Sequence, residues 1–172
     1  MKGEPFSYVD MATQFVVYPE YCELSLGCLI GRSVKVGGYH VATLMVGNQN
    51  EAVVYHDGED VYSRSKYRLT GSEIRDGVRQ GVLKPEVFNL GWVNTLILVC
   101  YEIVFPEDYL SIKERVDLVI HMIGMPMFSE EQREGWVALQ KVLSLTYKCP
   151  VVCCCGGKPG RMNITGVINE GG

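Results

Sequence analysis

The sequence has no apolar run long enough to cross a bilayer. Its longest, TLILVC and CPVVCCC, fall far short of the roughly 20 residues a membrane helix needs. The N-terminal stretch MKGEPFSYVD lacks the apolar core of a secretory leader. There is no stripe of Lys and Arg: charges of both signs are scattered and the net charge is −4, which argues against nucleic acid or an anionic membrane as the main partner. Histidine is scarce, with three residues at His40, His56 and His121. None carries the local signature of a papain-like Cys–His pair, so each reads as structural or surface. No repeat, low-complexity tract or linker interrupts the chain. The expectation is a cytoplasmic protein folding as a single domain over residues 1–172, long enough to bury a substantial core.

Seven cysteines are present, and they make a poor disulfide framework, being odd in number with three adjacent at Cys153, Cys154 and Cys155. A zinc knuckle needs two close pairs set apart by a loop, and here Cys149 to Cys155 form one cluster that no second cluster faces. PVVCCCGG reads instead as a buried strand in which Cys replaces Val or Ala, with no metal.

Strand and helix patterns alternate. TQFVVYPE is a short strand stopped by Pro19, and YHVATLMVGN is another. NEAVVYHDGEDVYSRSKYRL reads as a hairpin around Asp57-Gly58, a dipeptide that tolerates the positive φ angles of tight turns. GWVNTLILVC is apolar throughout, as a strand buried on both faces should be. A short helix is expected over residues 106–116, PEDYLSIKERV, and a strand in DLVIHMIGM. The longest helix is SEEQREGWVALQKVLSLTYK: Ser129 and Gln132 form a capping box, acids crowd the first turn, and Trp136, Leu139, Leu143 and Tyr147 recur at helical spacing. PVVCCCGG and NITGVINEGG close the chain as strand, turn and strand. Such mixing indicates a layered α/β or α+β sheet protein.

Reactive side chains stand at the ends of three strands: Glu20 after Pro19, Lys66 after the second hairpin arm, and Cys100 after TLILV. Ligands and catalytic groups gather at strand ends in layered folds. Taken singly, each has a plain structural reading: a turn glutamate, an edge-strand lysine, a core cysteine.

Together, FVVYPE, YSRSKYRLTGSE and LVCYEIVFPE resemble the three signature segments of the nitrilase superfamily, the carbon–nitrogen hydrolases, in a shortened form. The resemblance implies an α-β-β-α sandwich that lacks peripheral or terminal elements, and association into a homodimer or higher homo-oligomer. It implies a Glu-Lys-Cys triad: Glu20 as general base, Cys100 as nucleophile on a small amide or nitrile, and Lys66 with the backbone N–H of Tyr101 as the oxyanion site. Glu73, just past the Lys segment, matches a second Glu that holds the Lys or the substrate. No cofactor is required. An N-acyltransferase-type member and a non-catalytic nitrilase-like binding or assembly protein are the alternative readings.

Overall fold

The eight-residue strands YHVATLMV and QNEAVVYH pair along their whole length, from Tyr39 opposite His56 to Val46 opposite Gln49, and form the longest ladder in the chain. A computed structural model describes residues 8–10 (as backbone), 15–21, 25–112, 114–125, 127–156 and 164–169. Cys22 and residues 157–163 of the turn expected between the last two strands lie outside these residues.

One sheet has the order β1 (Tyr8–Asp10), β2 (Phe15–Val17), β3 (Tyr39–Val46), β4 (Gln49–His56) and β5 (Glu59–Ser65). Only β2 and β3 run parallel. Asp57 and Gly58 carry φ of 49° and 86° between β4 and β5, the expected tight turn. The second sheet has the order β10 (Gly166–Ile168), β9 (Val151–Cys155), β8 (Leu118–Ile123), β7 (Val93–Val99) and β6 (Val87–Leu90). Here β7, β8 and β9 are parallel. All residues of β8 and β9 are buried, which is why β9 reads as an unbroken apolar run and β8 as one interrupted only by His121.

The two sheets pack face to face through Val17, Val41 and Val54 on one side and Ile97, Ile120 and Met122 on the other. The outer face of the first sheet packs Val16, Ala42 and Val53 with Leu29 of helix α1 (Leu26–Val36). The outer face of the second packs Leu96, Leu98 and Val119 with Leu143 of helix α3 (Glu130–Tyr147), joined by Trp136, Leu139 and Tyr147. The result is the expected α-β-β-α sandwich. Among the described residues no helix is long and apolar enough to cross a membrane.

The helix expected over residues 106–116 is a correction. The chain makes only short 3-10 turns at Cys100–Val104 and Pro106–Asp108. Tertiary contacts capture its residues before a helix can propagate: Asp108 is held by Arg68 and Lys84, and Tyr109 donates to the Ile103 carbonyl at 2.5 Å. Four elements were not anticipated from the sequence: strand β1, helix α1, the short helix α2 (Gly71–Arg75) and strand β6. The Gly- and Val-rich α1 relies on its cap, where Ser25 accepts from the Cys28 N–H at 3.2 Å, and on packing against the sheet.

Candidate active site

The site forms where three strands of the two sheets end. Beyond β2, the Tyr18 N–H still bonds the Val41 carbonyl at 2.9 Å, so Pro19 and Glu20 leave the sheet only at its rim. Lys66 follows β5 directly, its N–H bonded to the Asn50 carbonyl at 2.7 Å. Cys100 follows β7 directly and adopts φ 49°, a left-handed conformation that a non-glycine residue takes only when its surroundings impose it.

Those surroundings are a buried ion pair. Glu102 accepts from both terminal nitrogens of Arg64 at 2.8 Å each, from the Tyr67 N–H at 2.7 Å and from the Val99 N–H at 2.8 Å. Both side chains are fully buried. One carboxylate therefore ties the strand before Cys100 to the segment carrying Lys66.

The Lys66 ammonium lies 2.7 Å from Glu20 Oε1 and 2.9 and 3.0 Å from the two oxygens of Glu73. Glu20 and Lys66 are 2% and 1% exposed, and Glu73 is 5% exposed, so these charges meet with little water between them. Glu73 is fixed by the α2 cap: it accepts from the Thr70 N–H at 2.7 Å and the Thr70 hydroxyl at 2.9 Å, and the Tyr21 hydroxyl donates to it. Asn50 donates to Glu20 at 2.8 Å and to Glu73 at 3.3 Å, so it holds both carboxylates about the one lysine. The Cys100 thiol lies within electrostatic reach of Glu20 and Lys66.

Gly124 also allows the close approach of Glu20. A Cβ there would stand 3.1 Å from Glu20 Oε2 and 2.8 Å from Tyr21 Cδ2. Gly156 has the same role one layer back, since a Cβ would lie 2.5 Å from the Gly124 carbonyl oxygen.

Burial raises Glu20 against the lowering pull of Lys66, so its carboxylate is a stronger base than an exposed one. Burial works against the Lys66 ammonium, but Glu20, Cys100 and Glu73 outweigh it and hold Lys66 above its ordinary value. Burial also opposes the Glu73 charge, yet the Thr70 N–H, the Tyr21 hydroxyl and Lys66 bring it down to about 2. Burial and the neighbouring Glu20 push the Cys100 thiol up, so it waits as a thiol and needs a base to give up its proton.

These groups line one cavity of about 180 Å³. Its polar lining includes Glu20, Lys66, Glu73 and Cys100, with Tyr101 beside the cysteine. Its apolar lining comes from Ile123, Met127, Phe128 and Trp136. The five residues singled out in the sequence thus share one pocket. Asn50, Tyr21 and Gly124 were missed. Asn50 is the second residue of β4 and Gly124 follows β8 directly, both outside the signature segments, and only the fold shows what they touch. Tyr21 adjoins Glu20, but nothing local distinguishes it. The cysteine run divides by strand alternation: Cys154 enters the core between the sheets, while Cys153 and Cys155 pack with Ile123 and Met127. Among the described residues no group of three or more His, Cys, Asp or Glu is placed to hold a metal ion.

Comparison with solved structures defines the fold class. A variant of the amidase from Nesterenkonia sp. AN1, carrying acrylamide on its active-site cysteine by Michael addition, superimposes with a TM-score of 0.71 at 20% identity, over 91% of this chain and 72% of that one. Another variant of that amidase, described as belonging to the nitrilase superfamily, gives 0.72 at 20% identity, over 91% and 70%. A third, in complex with butyramide, gives 0.71 at 19% identity, over 91% and 70%. The chain has the fold of these nitrilase-superfamily amidases. No family model and no curated protein matches the sequence.

Proposed function

We propose that the protein is an amidase-type carbon–nitrogen hydrolase that cleaves a small uncharged amide through a thioester on Cys100. The observation that supports this most is the common cavity of Glu20, Lys66 and Cys100, on a fold otherwise seen in amidases. In this reading Glu20 takes the thiol proton as sulfur attacks the carbonyl carbon, and the C=O electron pair moves onto oxygen. The Lys66 ammonium and the Tyr101 N–H meet the oxyanion. The adduct collapses: the carbon–nitrogen bond breaks, and ammonia departs with the proton held on Glu20. Glu20 next takes a proton from water as its oxygen attacks the thioester. The carboxylic acid leaves, and the proton returns to sulfur. A nitrile would first add the thiol to give a thioimidate; one water then adds and ammonia leaves, giving the same thioester, which a second water hydrolyses.

The electrostatics favour an uncharged substrate. Among the described residues lining the pocket Lys66 is the one cation, and it already serves two carboxylates rather than a substrate carboxylate. The apolar lining suits a short alkyl or alkenyl acyl group, in keeping with the butyramide and acrylamide bound by the structural neighbours. Homo-oligomeric association in the cytoplasm is part of the same proposal. The test is ammonia release from butyramide by wild type and Cys100→Ala. We expect the variant to lose on the order of 10³-fold or more in kcat. Equal turnover by the two proteins would eliminate the mechanism.

A further inference from the structure

His121 has no part in the chemistry above, yet it is wholly buried directly beneath the nucleophile. It lies in β8, with its ring stacked on Trp136 of α3 at a centroid distance of 5.5 Å and an interplanar angle of 13°. Its Nε2 is 3.1 Å from the carbonyl oxygen of Cys100, and its Nδ1 is 2.9 Å from Nε2 of Gln140, also on α3.

The protons on this chain of groups follow from chemistry. A carbonyl oxygen can only accept, so Nε2 of His121 carries a hydrogen. Burial pushes His121 down to about 4, so the ring is neutral near pH 7 and Nδ1 keeps its lone pair. Gln140 must then present its NH₂ to the ring. It does so, sharing that group with Cys153 Sγ at 3.1 Å and leaving its own Oε1 buried without a partner. An unmet acceptor in the core costs about 1–3 kcal/mol. The amide nonetheless takes the one orientation that locks the imidazole.

The Cys100 carbonyl and the Tyr101 N–H belong to one planar trans peptide, so they point in opposite directions. Fixing one fixes the other. We propose that His121 is a positioning residue: by holding the Cys100 carbonyl it aims the Tyr101 N–H at the oxyanion that forms when Cys100 attacks. Gln140 supports it, so α3 both walls the pocket through Trp136 and sets the oxyanion site through His121. The inference rests on the reading of Cys100 as a nucleophile toward a carbonyl.

An oxyanion forms during amide hydrolysis but not during displacement of iodide from iodoacetamide, and this difference supplies the test. Butyramide kinetics and the alkylation rate of Cys100, followed by peptide mass mapping, are compared for wild type, His121→Phe, His121→Gln and Gln140→Leu. Phe keeps the ring and its stacking on Trp136 but removes the donor. We expect kcat of His121→Phe to fall roughly 10–10²-fold, below the full loss of an oxyanion donor, with KM and the alkylation rate each within about threefold of wild type. His121→Gln retains an N–H of similar reach and should recover most of kcat. Gln140→Leu should show a smaller loss of the same kind, and it decides the matter if His121→Phe does not fold. Unchanged kcat in folded His121→Phe, or in Gln140→Leu where that variant decides, overturns the role of His121 alone. A parallel fall in kcat and alkylation overturns it too, since that marks a general loss of structure. A wild type inert toward amides overturns the nucleophile reading and this inference with it.

Discussion

The Arg64–Glu102 pair offers the sharpest test of how Cys100 is held. Arg64 spans from β5 to the 3-10 turn and makes two 2.8 Å bonds to Glu102, with a further bond from its Nη2 to the Ile97 carbonyl at 3.2 Å. Arg64→Met keeps most of the volume but strands the Glu102 carboxylate in a site that water does not reach. Breaking a buried pair from one side costs about 3–5 kcal/mol, because the surviving charge is left without its counter-ion. In a protein of this size each kcal/mol lowers Tm by roughly 2–4 °C, so Arg64→Met should melt roughly 6–20 °C below wild type. Arg64→Lys should fall between the two, since an ammonium retains the charge but cannot make the paired bonds. The assay is thermal unfolding followed by far-UV circular dichroism at pH 7. An Arg64→Met protein melting within about 2 °C of wild type would refute the reasoning, and with it the claim that this pair imposes the φ of Cys100.

Other outcomes follow from the same site. Glu73 is held at about 2 against an ordinary value of 4.5, so its charge contributes stability that is present above 4.5 and is lost as pH falls toward 2. Glu73→Gln should therefore be less stable at pH 7, and its stability should decline less steeply between pH 4.5 and 2, as read by urea unfolding at several pH values. Glu20, raised by burial and in part by the Glu73 charge, works in the opposite direction, so the difference reports Glu73 together with its coupling to Glu20. Gly124→Ala places a methyl 3.1 Å from Glu20 Oε2 and should displace the base. We expect a loss of about 10–10²-fold in kcat with a small change in Tm; an unchanged kcat would show that Glu20 has room to spare.

The local sequence carried the signature segments because their pattern is written in adjacent residues: Glu20 behind Pro19, Cys100 before Tyr101 and Glu102. The sandwich was legible from the switch between strand and helix periodicity and from the apolar runs of β7 to β9. What could not be read depends on approach through space. Asn50 is an ordinary strand residue until β4 sets it between Glu20 and Glu73. His121 looked structural, and it is fully buried, but its meaning lies in the Cys100 carbonyl 21 residues away in sequence. The expected helix at residues 106–116 failed for a related reason: the Tyr147 hydroxyl takes the Tyr109 carbonyl at 2.6 Å, and Asp108 is held by two distant cations. Local propensity there yields to partners that no short window contains.

The central claim is that sulfur of Cys100 bonds to the acyl carbon of an amide. It is tested most directly by quenching wild-type protein with acid during butyramide turnover and mapping its peptides by mass spectrometry. The account predicts one butyryl group on the peptide bearing Cys100, removed by hydroxylamine and absent from Cys100→Ala. Ammonia release with no acyl group on Cys100, or with the acyl group on another cysteine, would contradict it.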